Sequence, residues 1–86
     1  MIKAIYHQEF KKEYKKLSLK VRAHVIARLL LFQENPQNPL LRDHSLKPTL
    51  EGKRSFSVTG DIRIIYRYMN KNTILLLRVG THNQVY

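Results

Sequence analysis

RSFSVTGDIRIIYRYMNKNTILLLRV, residues 54–79, decides the fold. Successive side chains of a strand point to opposite faces, so a strand with one buried face alternates in character. RSFSV (54–58) alternates, Thr59-Gly60-Asp61 has turn chemistry, and IRIIYRY (62–68) resumes the alternation. Asn70-Lys71-Asn72 turns again, and TILLLRV (73–79) is a third strand. Two successive hairpins make an antiparallel meander. In its long strand Ile62, Ile64, Tyr66 and Tyr68 share one face, and Arg63, Ile65 and Arg67 share the other. One face therefore suits packing, and the other presents cations.

Upstream the hydrophobic period changes from 2 to 3.6. Tyr6, Phe10, Tyr14 and Leu17 fall on one side of a helix over 7–17, with Lys11, Lys12, Lys15 and Lys16 opposite. Val21, Val25, Leu29 and Phe32 form the stripe of a second helix over 19–34, widened by Ile26 and Leu30. Ser18 ends the first helix and caps the second, and Asn35-Pro36 stops it. His7 and His24 read as ordinary surface or packing residues, and the segment from Asn35 to Pro39 as loop. Residues 2–6, IKAIY, read as a short first strand. The order is β-α-α-β-β-β, an α+β fold with a helical hairpin on one face of a small antiparallel sheet. Its 86 residues make a single domain, 1–86.

The charge narrows the function. Sixteen Lys and Arg against six Asp and Glu give a net charge of +10, a field that draws polyanions, nucleic acid above all. No apolar run reaches the roughly 20 residues of a membrane span, and no leader is visible. The absence of cysteine removes disulfides and thiolate metal sites. These features predict a soluble, cytoplasmic protein that does not engage a membrane.

Metal-free RNA cleavage needs a base near a 2′-hydroxyl, an acid near the leaving 5′-oxygen and cations around the phosphorus. The candidate acid–base groups are His44, Asp61 and His82, and the candidate cations Arg54, Arg63, Arg67 and Arg78. Histidine titrates near neutrality, and the arginine fork matches two phosphate oxygens. His82 follows a glycine at a strand end, whereas His44 lies in an irregular segment, LRDHSL. No two histidines stand at metal-chelating spacing, so neither metal nor cofactor is expected.

Asp43-His44-Ser45-Leu46, Gly52-Lys53-Arg54, Asp61 with Ile65-Tyr66, Arg78-Val79-Gly80-Thr81-His82 and Tyr86 occur in that order. Together they resemble the YafQ-like branch of the RelE/ParE toxin superfamily, from type II toxin–antitoxin systems. The resemblance covers residues 43–86 well; the N-terminal half matches in length and helical character. It implies the RelE-like microbial RNase fold and a ribosome-dependent, metal-independent endoribonuclease that cuts translated mRNA. It further implies His44, Asp61, His82 and Tyr86 as catalytic or substrate-contacting residues, with Arg63 and Arg78 against phosphate. Lys47, Lys53, Arg54 and Arg67 are the accompanying substrate contacts. Lysines of the first helix would hold ribosomal RNA. The expected partner is an acidic antitoxin of the RelB or DinJ kind, the free toxin being a monomer and the complex a heterotetramer. Ser57 stands where such proteins often carry histidine, and Ile62 where they often carry an aromatic. The alternatives are a ParE-like inhibitor of DNA gyrase and a catalytically impaired RNA-binding relative.

Overall fold

A computed structural model describes residues 1–46 and 52–86. Strand β1 (Lys3–Tyr6) leads into helices α1 (Gln8–Lys15) and α2 (Leu19–Glu34). A 3-10 turn, Pro39–Leu41, precedes β2 (His44–Ser45), β3 (Arg54–Ser57), β4 (Ile62–Asn70), β5 (Thr73–Thr81) and α3 (His82–Val85). The sheet order is β1-β5-β4-β3-β2.

The helices begin and end where local chemistry directs. His7 is the N-cap of α1, its Nδ1 accepting from the Glu9 amide at 3.0 Å, a role beyond the ordinary surface position expected of it. Ser18 caps α2 by accepting from the Val21 amide at 3.2 Å. Arg22 of α2 closes the end of α1, donating from Nε to the Tyr14 carbonyl at 3.2 Å and from Nη2 to that of Lys15.

The meander forms as its alternation requires, with Phe56 opposite Ile64 and Tyr66 opposite Leu76. Three features of the sheet depart from the sequence reading, and α3 is a helix that the reading did not include. First, the sheet is mixed, because β1 lies parallel to β5, from Lys3 opposite Thr73 to Tyr6 opposite Leu76. Parallel neighbours need a long crossover, and here the helices and the rest of the sheet intervene; β1 thereby covers an edge that β5 would otherwise expose. Second, the irregular segment around His44 is partly a strand. His44 and Ser45 pair with Ser55 and Arg54 at the far edge of the sheet. Third, the register of β4 on β5 shifts between Ile65, opposite Arg78, and Tyr66, opposite Leu76, leaving Leu77 as a bulge. Unbroken alternation would send Arg78 to the same face as Ile74 and Leu76. The bulge instead returns Val79 to the core and Arg78 to the other face.

Phe10, Val25, Leu29, Phe32 and Leu41 pack against Phe56, Ile64, Tyr66, Ile74, Leu76 and Val79. Phe32 sits among them, its ring centroid 5.0 Å from both Phe56 and Tyr66. Ile26 and Leu30 do not widen the buried stripe: they are 51% and 54% exposed, because α2 meets the sheet along a narrow face. No helix among the described residues is long and apolar enough to cross a membrane.

One polar network enters this core. The Tyr66 hydroxyl donates to Asp43 Oδ2, and Asp43 Oδ1 accepts from Arg54 Nε at 2.8 Å. Arg54 Nη2 lies 2.5 Å from the same oxygen. Burial, and then the bond to Asp43, hold the Tyr66 hydroxyl in its neutral form far above the usual tyrosine range. Burial and the Asp43 charge also raise Tyr68. Above pH ~10 the unfolded chain therefore releases protons that the folded one keeps, so stability falls with rising pH. Urea unfolding between pH 9 and 12 is expected to show this decline from about pH 10 upward, with a shallower slope in Tyr66→Phe. An equal slope in the two proteins would place the alkaline instability elsewhere.

Candidate active site

The face of the sheet away from α1 and α2 is only partly open. α3 packs across β4 and β5, and Ile65 is 3% exposed on that face. Thr81 is the N-cap of α3 in a complete capping box: its Oγ1 accepts from the Gln84 amide at 3.3 Å, and Gln84 Oε1 accepts from the Thr81 amide at 2.9 Å. Gly80 makes room for this turn. A Cβ there would stand 2.7 Å from Gln84 Oε1 and 3.3 Å from Val85 Cγ1. Gly80→Ala is expected to break the capping box and release α3 while the core stays intact. The check is faster amide hydrogen exchange over residues 81–86 in a protein whose thermal midpoint falls by only a few degrees; unchanged exchange there would show that Gln84 swings aside and α3 stays in place.

α3 carries two of the expected site residues. His82 is exposed, and its amide donates to the Asp61 carbonyl at 3.1 Å, which ties the turn before β4 to the end of β5. The Tyr86 ring lies 4.2 Å from the His82 ring, centroid to centroid. The Tyr86 hydroxyl donates to Ser55 Oγ at 2.5 Å and lies 3.4 Å from His44 Nε2. The chain thus brings His44, Ser55, His82 and Tyr86 together from the far edge strand, β3 and the C-terminal turn.

The tautomer of His44 follows from its other nitrogen. Nδ1 lies 3.1 Å from the Arg42 carbonyl, an oxygen that only accepts, so Nδ1 carries the proton in the neutral ring. Nε2 then presents a lone pair towards Tyr86. Asp43, next to His44, is held by Arg54 and Tyr66, so the strand that presents the imidazole is pinned to the core.

The arginines divide into engaged and available groups. Arg54 is committed to Asp43: burial opposes its charge, and the Asp43 and Tyr66 hydrogen bonds outweigh that and raise its pKa. Arg78 is fixed by Glu13, which accepts from Nε at 2.9 Å and from Nη2 at 2.7 Å, and this pairing raises its pKa. Glu13 Oε1 also accepts from the Val79 amide at 3.1 Å, covering the β5 edge beyond the end of β1. Arg78 Nη2 donates as well to the Gln84 carbonyl at 3.1 Å, joining α1 to α3. Arg63 lies opposite Ser57 and Gly80 and donates to the Gly60 and Ile62 carbonyls at 2.9 and 3.1 Å. Arg67 is exposed farther along β4, and Lys53 stands half-buried before β3. Lys47 lies outside the described residues. Ile62 packs against the core edge, and Ser57 lies beside Arg63. Among the described residues no three His, Asp or Glu side chains cluster closely enough to hold a metal ion.

Ser55, Glu13 and Arg42 escaped the sequence reading. Ser55 is fully buried yet carries a hydroxyl, and among the described residues its side-chain hydrogen bond is the one it accepts from Tyr86. The RSFSV alternation places it opposite Phe56, on the face of Ser57, which was the one available signal.

An α+β protein with a helical hairpin under a mixed sheet, and a C-terminal turn across its other face, is of the RelE-like toxin class. The fold matches YafQ from E. coli strain BL21(DE3) with a TM-score of 0.81, 21% identity, and coverage of 100% of this chain and 99% of that one. It matches a chain of the toxin–antitoxin complex RelBE2 of Mycobacterium tuberculosis at 0.78, with 20% identity over 94% and 98%. A metal-bound toxin from Helicobacter pylori is 27% identical, at a TM-score of 0.71 over the whole of both chains. Among curated sequences none matches. Residues 2–86 match the family described as bacterial toxin of type II toxin–antitoxin system, YafQ, and the chain belongs to that family.

Proposed function

We propose that this toxin is a ribosome-dependent endoribonuclease that cuts translated mRNA by attack of a 2′-hydroxyl on the adjacent phosphate. The observation that carries the reading is the approach of two imidazoles to one phenol, His44 through its bare Nε2 and His82 through its ring face. His44 Nε2 takes the proton of the attacking 2′-hydroxyl. His82 gives a proton to the departing 5′-oxygen. Bond formation to phosphorus and loss of the 5′-oxygen leave a 2′,3′-cyclic phosphate and a 5′-hydroxyl. Arg63 and the outer edge of the Arg78 guanidinium face the charge that builds on the phosphorane, and one such donor contributes about 10²–10³ in rate. Tyr86 stacks on or orients a base, held by Ser55. Asp61 orients the turn that carries His82.

The antitoxin partner follows from the family and from the M. tuberculosis complex, in which a toxin of this fold is bound by its antitoxin. An acidic segment that folds on binding suits a surface of net charge +10.

The deciding experiment adds the purified toxin to ribosomes programmed with a defined mRNA, with and without a chelator that spares ribosomal magnesium, and maps the new ends. Cleavage giving a cyclic phosphate, indifferent to the chelator and abolished by a single 2′-deoxy substitution at the cut, supports the reading. Intact mRNA with inhibited DNA gyrase would replace it with the ParE-like alternative.

A further inference from the structure

A cavity of about 430 Å³ opens at the β3–β4 end of the sheet, beside the proposed cleavage site. Arg28 of α2, Arg42 and Arg63 line it, with Ser57 and Thr59 between them. No carboxylate lines it among the described residues. Three guanidiniums around one cavity repel each other unless an anion sits among them. Two of them are aimed by backbone: Arg28 Nη1 donates to the Leu40 carbonyl at 2.7 Å, and Arg63 Nη1 to that of Gly60 at 2.9 Å. A guanidinium has five N–H donors, so these bonds orient the fork and leave others free.

Arg42 is positioned by the turn that precedes it. Its φ is +50°, in the left-handed region where glycine or asparagine is at ease, and it is the one non-glycine residue with positive φ among those described. That conformation makes Arg42 the cap of the Pro39–Leu41 turn, its amide donating to the Pro39 carbonyl at 3.2 Å, and so fixes where its side chain leaves the backbone at the cavity. Its carbonyl is also the acceptor that sets the tautomer of His44. The residue that would grip substrate in the cavity is therefore two positions from the proposed base.

We propose that Arg28 and Arg42 form a second phosphate-binding subsite, joined to the scissile phosphate by Arg63, which lines both; the subsite holds the adjacent RNA backbone and keeps the strand in register with His44. The subsite rests on the ribonuclease reading for its substrate. Its chemistry is backbone recognition: planar forks on phosphate oxygens, with the Ser57 and Thr59 hydroxyls as further donors.

The test separates binding from cutting. The probe is a mixed-sequence, fully 2′-deoxy 12-mer, which cannot undergo 2′-hydroxyl attack, followed by fluorescence anisotropy over a range of salt concentrations. Arg42→Asn removes the charge and suits the left-handed backbone; Arg28→Gln removes the second. The double variant is expected to bind about 10-fold or more weakly, with a log–log salt slope shallower by roughly 1.4, about 0.7 for each lost phosphate contact. Should Arg28→Gln fail to fold, Arg42→Asn alone is expected to flatten the slope by about 0.7. Unchanged affinity and slope in a folded variant would overturn the subsite. So would loss of binding to a polyglutamate peptide with oligonucleotide binding intact, which would assign the cavity to an acidic protein segment. Weaker, flatter binding in the variants together with mRNA left uncut by the wild-type protein would uphold the subsite and overturn the cleavage reading.

Discussion

Replacing His44 by alanine is expected to slow mRNA cleavage by about 10²–10⁴-fold without unfolding the protein. The size is that of a positioned general base. The reason is specific to this site: Nδ1 lies 3.1 Å from the Arg42 carbonyl, so the neutral ring carries its proton there and leaves Nε2, 3.4 Å from the Tyr86 hydroxyl, as the bare nitrogen. The side chain is exposed and makes no core contact, so its removal leaves the packing alone. His82→Ala is expected to fall in the same range, because proton donation to the leaving oxygen is the other half of the proposed reaction. Groups that act on one transition state do not contribute additively, so the double variant is expected to lose little beyond the worse single one. Single-turnover cleavage on programmed ribosomes measures all three. Wild-type rates in His44→Ala would remove it as base and leave Asp61 in its place; wild-type rates in His82→Ala would remove it as acid.

Phe32→Ala is expected to cost about 3–5 kcal/mol of folding stability. Phe32 is fully buried, stacks on Phe56 and meets the edge of Tyr66, joining α2 to β3 and β4 at one point. Native domains keep only about 0.05–0.15 kcal/mol per residue, so a loss of that size takes a large share of the total for a chain this short. Chemical denaturation reads it as a lower midpoint at an unchanged slope. A shift below about 1 kcal/mol would mean that neighbouring side chains collapse into the space, which the packed rings of Phe56 and Tyr66 oppose.

The stripe that contains Phe32 was legible in the sequence, as was most of the fold. The change of period from 3.6 to 2 separated helices from strands, Ser18 marked a cap, and the turn residues at 59–61 and 70–72 placed the hairpins. The motif residues from Asp43 to Tyr86 carried the family. The finer site was less legible. Arg78 and Arg54 read as free cations beside a phosphate, yet each is held by a carboxylate, Glu13 or Asp43, that lies 65 or 11 residues away. Charge pairing across such separations has no local signature. Ser55 read as one polar position in an alternating strand, and its hydroxyl acquires a purpose only when the C-terminal turn brings Tyr86 onto it.

The sequence by itself determined α1, α2, β1 and the three strands of the meander, but neither β2 nor α3. It also determined the face of β4 that meets the helices, the polyanion-seeking charge and the set of residue types able to move protons. Those depend on periodicity and composition, which neighbouring residues express. The tertiary structure alone decided the partner of each group. It placed β1 beside β5, turned Arg78 out of the core through one extra residue at Leu77, and brought His44 within 3.4 Å of the Tyr86 hydroxyl across 42 positions of sequence. A bulge shifts every later side chain to the other face, and a contact between chain segments is fixed by packing, so neither is written in any short window of residues.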